Sequence, residues 1–346
     1  MKQGIKILTQ FLLLFTALCC LIFHNILIYG ISQGKGQLAI VINAKPIDEL
    51  LQQENCSDSV KQKLILIQEI KQFAIDSLGI NPSENYSSYY DQTNQQKLLT
   101  ISACEPFSFK AKEWTFPFLG TVSYKGFFNA EKAKKEILKL KQHNFDVDVY
   151  TPSGWSTLGW FNDPVLSGML KRNDGQLANL IIHELTHGTL YVKDNVTFNE
   201  NLSNFIGDKG AQQFLIYKYG KTSKQYATYF QNKNDEAIYN EYILKSKSRL
   251  DSLYKTMNDQ QDDLIKKKLK KELILEIVLG VNRLPLAKRK GYFEYTLQAF
   301  SEGNAFFMAF DRYDSQYEVF EAEYSKNFNS NLSNYLHFLK DKYPSL

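Results

Sequence analysis

From Ile7 to Gly34 the chain carries no Asp, Glu, Lys or Arg, and Phe11 to Phe23 is almost wholly apolar. With Ile26-Leu27-Ile28-Tyr29 added, the run is long enough to cross a bilayer, which takes roughly 20 helical residues. Lys2 and Lys6 precede it, so the positive-inside tendency puts the N-terminus in the cytoplasm and everything after Lys35 on the far side. The rival reading is a cleaved signal peptide, because Phe11 to Phe23 has the length of an h-region and Gly30-Ile31-Ser32 offers small residues to a peptidase. The length of the run favours the uncleaved anchor, residues 1–34. Both readings export the remainder of the chain.

The whole chain is 44% apolar and 23% charged, so the exported part can bury a real core. Its 41 Lys and Arg stand against 37 Asp and Glu, and two of the basic residues, Lys2 and Lys6, belong to the leading segment. That near-balance argues against nucleic acid as a partner. Of four cysteines, Cys19 and Cys20 lie inside the apolar run. Cys56 and Cys104 lie beyond it, where the compartment permits a disulfide; two isolated cysteines read equally well as separate buried thiols.

Past the leading segment, Val60, Leu64, Ile67, Ile70, Phe73, Ala74 and Leu78 recur at helical spacing before Gly79, which predicts an amphipathic helix over 57–78. Asn81 to Gln95 is polar and tyrosine-rich and reads as a loop leading into extended chain. Phe107 to Phe128, broken by Pro117 and Gly120, predicts a hairpin or two short strands. A short helix capped by Asn129 runs to about Leu140, and Phe145, Val147 and Val149 then alternate with Asp146 and Asp148 as in a half-buried strand. Two further helices are predicted, from Gln176 to about Val192 and from Thr197 to about Tyr217. The stretch 235–280 reads as a helical hairpin broken near Asn258-Asp259. Its lysines, Lys266 to Lys268, Lys270 and Lys271, form a solvated face because Asp262, Asp263 and Glu272 are interspersed. More helices rich in Phe and Tyr follow from Tyr292. With no internal repeat, low-complexity segment or linker, residues 35–346 read as one α+β domain, mainly helical with a small β-sheet.

Within the first of the paired helices, Leu180-Ile181-Ile182-His183-Glu184-Leu185-Thr186-His187 is an H-E-x-x-H sequence. A spacing of four returns both imidazoles to one helix face about one turn apart, where both reach a single Zn²⁺. Glu184 projects beside them, placed to take a proton from water at the metal. The bland alternative is two helix histidines with surface or core roles. A catalytic zinc takes three protein ligands and keeps one position open. His143 and His337 lie in unrelated segments, so a carboxylate is the more natural third ligand. Glu200, 13 residues after His187 and in the first turn of the next helix, is the candidate. A turn near Asp194-Asn195 would fold that helix back antiparallel to the first. Thr197-Phe198-Asn199-Glu200 also fits a capping box, in which Glu200 merely bonds the helix start. Asn204, one turn on, reads either as a partner for a ligand imidazole or as a surface Asn.

The stretch His183-Glu-Leu-Thr-His-Gly-Thr-Leu-Tyr-Val-Lys-Asp, followed by Thr197-Phe-Asn-Glu-Asn-Leu-Ser-Asn-Phe, resembles the bacterial predicted aminopeptidases of the gluzincin type. Those share H-E-x-x-H, a Tyr-Val-Lys turn and F-N-E. The likeness extends to Tyr29, Gln33, Gly36-Gln37-Leu38 and Pro46-Ile47, and to Trp114, Phe116-Pro117, Gly120 and Tyr124-Lys125-Gly126-Phe127-Phe128. It continues through Ser156 to Pro164, Met169-Leu170, Asn304-Ala305 and Tyr313, and so covers nearly the whole chain. Members often carry paired Asn before Ala, where this chain has Gly303-Asn304, and Asp208 stands where Glu is frequent. Neither departure touches the metal site. The resemblance implies one zinc ion held by His183, His187 and Glu200, with Glu184 as base; it points to Tyr313 as a donor to the oxyanion, which otherwise reads as one of 21 tyrosines packing with its ring.

The expectation is therefore a zinc metallopeptidase of zincin-like fold, an aminopeptidase by its resemblance, acting on a peptide or protein. Residues 1–34 would anchor it as a single pass in the bacterial inner membrane, with residues 35–346 on the periplasmic side. No acidic cluster near the motif identifies itself as the group that would hold a substrate's free ammonium. A zinc endopeptidase acting on envelope proteins is therefore the nearest alternative. The other is a non-enzymatic membrane-anchored interaction protein working through the 235–280 helices; Glu184 counts against it, since a structural metal site does not need that carboxylate. Gly154 to Gly159 reads either as an edge strand that pairs with an extended peptide or as ordinary turn structure.

Overall fold

The computed structural model describes residues 24–93, 98–116, 120–151, 162–258, 260–310 and 317–343. Its first element, helix α1 (His24–Asn43), runs unbroken through position 34. Leu27, Ile28, Ile31, Leu38 and Ile42 lie on its exposed side. Tyr29 stacks on Phe116 with ring centroids 5.3 Å apart and donates to the Gly126 carbonyl at 2.8 Å. Gly36 sits against Phe128 so closely that a Cβ would lie 2.2 Å from the ring. Among the described residues no helix is long and apolar enough to cross a membrane. The run Phe11 to Phe23, on which the expected transmembrane helix rests, lies outside them.

The strands are short: β1 (Lys45–Pro46), β2 (Ser88–Tyr90), β3 (Leu99–Cys104), β4 (Trp114–Phe116), β5 (Gly120–Val122), β6 (Tyr124–Phe127), β7 (Asp146–Tyr150) and β8 (Val165–Leu166). They pair in the orders β1-β2-β8, β6-β3-β7 and β4-β5. In the middle sheet every pairing is antiparallel, and Ser102 faces both Tyr124 and Asp148. Directly opposed residues share a face, so the sheet has two distinct sides. Ile101, Ala103, Phe127 and Val147 form the apolar side, which is closed by Ala133 and Leu140. Ser102, Tyr124 and Asp148 stand on the other. The expected alternation over Phe145 to Val149 is thus present, but its polar residues are not solvated: Asp148 is only 8% exposed.

Between the strands lie α2 (Ile47–Gln52), α3 (Asp58–Phe73) and α4 (Ala130–Gln142). Ser57 and Asn129 cap α3 and α4 by accepting from Val60 N and Lys132 N. A single π-helical turn, Ala74–Leu78, prolongs α3 to Gly79. Gly79 has φ +79°, a left-handed value that glycine adopts without penalty, so the predicted stop falls where expected.

Helices α5 (Asp174–His187) and α6 (Val196–Tyr219) form the central pair. They run antiparallel: Ser203 meets His187, Gly207 meets His183 and Leu215 meets Gly175. The main core gathers on them, with Leu177, Ile181, Leu202, Phe205 and Phe214 buried. Helices α7 (Lys224–Lys255) and α8 (Asp263–Gly280) occupy the predicted hairpin region, joined on their exposed flank by an Arg249–Glu276 ion pair at 2.8 Å. With α9 (Arg289–Thr296), α10 (Ala299–Glu302) and α11 (Asn304–Met308) they enclose a second core around Ile243, Leu250, Ile277 and Phe307. Helices α12 (Tyr317–Phe328) and α13 (Leu332–Lys342) return to the main core beside Phe205.

One asparagine ties the second core to the sheet. Asn304 donates its backbone N–H to Asp146 at 2.7 Å, and its amide donates to the carbonyls of Glu105, Pro106 and Ser108, each at 3.1 Å. Gly303 before it has φ +56°. With ψ −132° it lies outside the left-handed helical region that Asn enters, and a Cβ there would stand 2.3 Å from the Asp146 carboxylate, so the position calls for glycine.

Candidate metal centre

Helix α5 begins where Asn173 accepts from Gln176 N at 3.0 Å. Leu177, Ala178, Ile181, Ile182 and Leu185 commit one side of the helix to the core. The complementary stripe, Gln176, Asn179, Leu180, His183 and Glu184, lines a cleft of about 1420 Å³. The helix ends at His187, five residues short of the expected limit near Val192. Asp194, at φ +58°, then turns the chain, and Asn199 fixes the turn by bonding both the N–H and the carbonyl of Val192 at 2.8 Å. The cap of α6 is Asn195, which accepts from Phe198 N at 3.2 Å. Thr197 therefore lies within the helix, and the alternative of a capping box with Glu200 is not the arrangement formed.

With α6 folded back, Glu200 meets the two imidazoles. His183 Nε2 and His187 Nε2 are 3.2 Å apart, and the Glu200 carboxylate oxygens stand 3.6 Å and 3.5 Å from them. Ligand atoms about 2.0–2.1 Å from one tetrahedral ion lie roughly 3.3 Å from one another. The three groups therefore fit a single zinc-sized cation. Among the described residues they are the group of this kind, all ligand atoms lying within 4.8 Å. His143 and His337 are not part of it; each bonds the carbonyl four residues before it in its own helix.

The rings are held from behind. Ser203 Oγ lies 3.1 Å from His187 Nδ1, and Asn204 hydrogen-bonds His183. The sequence pointed to Asn204 and missed Ser203, whose one signal is its place three residues after Glu200. Burial pushes the His183 imidazole down to about 3, His187 adding to the effect and Asn204 opposing it. Burial likewise lowers His187, to about 4. Both rings are neutral at ordinary pH and keep a lone pair for a cation. Close approach of the two helices makes this possible, since a Cβ on Gly207 would lie 2.9 Å from the Asn179 carbonyl and 3.1 Å from His183 Cβ.

Glu184 opens onto the same cleft. Burial first, then the charges of Glu200 and Asp163, raise its carboxyl to about 7, against the opposing pull of Arg172. A carboxyl so placed can exchange a proton near neutrality. On the next side of the cleft, Asp208 accepts from Tyr229 at 2.7 Å and from Tyr317 at 2.6 Å, and Tyr229 accepts from Asn179 of α5 at 2.8 Å. Tyr313 and the stretch Gly154 to Gly159 lie outside the described residues, so the structure bears on neither. Cys56 and Cys104 are separate free thiols.

A family model described as "Putative aminopeptidase" matches residues 28–341. No curated protein and no solved structure matches the chain significantly.

Proposed function

Because the chain belongs to the "Putative aminopeptidase" family, whose model spans residues 28–341, we propose that it is a zinc-dependent peptidase of the gluzincin type. His183, His187 and Glu200 hold one zinc ion, and Glu184 is the general base. The observation that carries this reading is the meeting of two neutral imidazoles and a carboxylate at 3.2–3.6 Å from one another, beside a second carboxyl.

Zinc in such a site supplies Lewis acidity toward the scissile carbonyl and toward water. The protein's own groups do the rest. Glu184 accepts a proton from the attacking water at its carboxylate and returns it to the leaving amine, a task suited to a carboxyl raised to about 7. Ser203 and Asn204 keep the imidazoles from rotating. The sheet face bearing Ser102, Tyr124 and Asp148 forms the wall on which a peptide would lie. In this reading residues 1–34 tether the domain of residues 35–346 to the bacterial inner membrane, with the cleft on the periplasmic side.

Stripping the full chain with a chelator is expected to abolish peptide cleavage, and added zinc to restore it. Cleavage that survives with no metal bound would reject the reading.

A further inference from the structure

The sequence predicts a solvated face for the lysines of α8, and Lys270 departs from it. Its side chain is buried, pairs with Asp146 and donates to the Pro106 carbonyl at 2.8 Å. Lys270 lines a second cavity of about 360 Å³, together with Lys141 of α4, Lys267 and Lys271 of α8, and Asp146. The one carboxylate is thus already neutralised by Lys270. Among the described residues Lys267 and Lys271 form no ion pair or hydrogen bond, and Lys141 has only the longer-range influence of Glu302. Three uncompensated ammonium groups around one cavity favour an anion, and lysine binds phosphate as a point charge. Phe107, Phe145, Ile274 and Phe300 give the same cavity apolar walls. No residue lines both this cavity and the cleft of the metal centre.

A second observation says what carries the anion. Helical spacing places Leu264, Lys268, Lys271 and Leu275 on one face of α8, and Leu264 and Leu275 are 74% and 47% exposed. Phe300 of α10, which lines the cavity, is 41% exposed. We propose that the cavity seats the phosphate head group of an anionic phospholipid, while Leu264, Leu275 and Phe300 enter the acyl boundary of the layer. A soluble anion would use the lysines and leave the leucines in water; an acidic lipid uses both. Each lysine near an acidic lipid surface is worth about fivefold in binding, so three act together where one would not hold. The assignment does not depend on the zinc site.

The test uses the full chain in neutral detergent micelles, so that residues 1–34 are the same in every arm. It is titrated calorimetrically with dioctanoyl phosphatidylglycerol, dioctanoyl phosphatidylcholine and glycerol phosphate. Lysine accessibility is read in parallel by acylation and peptide mass spectrometry. The anionic lipid is expected to bind about tenfold or more tighter than either of the others. It should slow labelling of Lys141, Lys267 and Lys271 and leave Lys290, whose side chain is 89% exposed on α9, unchanged. Lys141→Gln, Lys267→Gln and Lys271→Gln together should weaken lipid binding about 100-fold, and the same three changed to Arg should keep most of it. Leu264→Ser with Leu275→Ser should cost about tenfold for the lipid and nothing for glycerol phosphate. Glycerol phosphate bound as tightly as the anionic lipid would make this a site for a soluble anion and overturn the assignment. Equal binding of the two lipids, or unchanged labelling of the three lysines, would also overturn it.

Discussion

The two imidazoles of the proposed zinc site are each held by a hydrogen bond, His187 to Ser203 and His183 to Asn204, and a ring serves as a ligand only while it stays aimed. Asn204→Ala and Ser203→Ala are each expected to weaken zinc binding by about 10- to 100-fold, measured by competition with a chromogenic chelator. The melting temperature of the metal-free chain should move little. The opposite pattern, lost stability with unchanged zinc affinity, would make them packing residues only. That His183 and His187 come together was legible because helical periodicity converts their spacing into a shared face, and that Glu200 joins them because the turn near Asp194-Asn195 folds the next helix back. Ser203 was not, because its one signal, a place three residues after Glu200, means nothing until the partner helix is placed. The burial of Asp148 was not legible either: alternation along β7 marks it as polar, and only the packed sheet shows that it is 8% exposed.

Helix α5 owes its register on α6 to the absence of side chains at the crossing. Ala at 207 would gain about 1 kcal/mol of helix propensity but would drive a methyl into the Asn179 carbonyl, at a cost of ~1–3 kcal/mol. Gly207→Ala should therefore be net destabilising by up to ~2 kcal/mol in chemical denaturation and should weaken zinc binding, because any shift of α6 moves Glu200. A stabilised variant with unchanged zinc affinity would show that the close approach is not needed. The existence of both helices was legible from the apolar spacing, and their ends were less so. Asn195, Asp194 and Asn199 decide the turn between them, and all three act through backbone bonds that no periodic pattern reveals. Tyr29 and Gly36, distant in sequence from Tyr124 to Phe128, both pack on that stretch: Tyr29 donates to the Gly126 carbonyl and Gly36 lies against the Phe128 ring.

Across the whole molecule the main core, the helical second core and the sheet core are joined by polar groups, and these make stability depend on pH. Glu302 is raised to about 7 by burial, with Asp148 adding to the rise and Lys141 opposing it. The folded chain keeps that proton in a range where the unfolded chain has released it, so this group's stabilising contribution is present at low pH and is lost as pH climbs from about 4.5 through about 7. Glu302→Gln should melt higher than the wild type at pH 8 and equally at pH 5; the reverse dependence would place the carboxyl beside a cation instead. The fold class, mainly helical α+β with small sheets, was legible from composition and periodicity. The division into three cores was not, since it depends on which amphipathic faces find one another.

The most direct test of the metal-centre assignment sets zinc content beside peptide cleavage for the wild-type chain and Glu184→Gln. The account predicts about one zinc per chain in both, and cleavage slowed about 10²- to 10⁴-fold in the variant, the range expected when a general base is removed. Chains that hold no zinc, or two chains equally active, would contradict it.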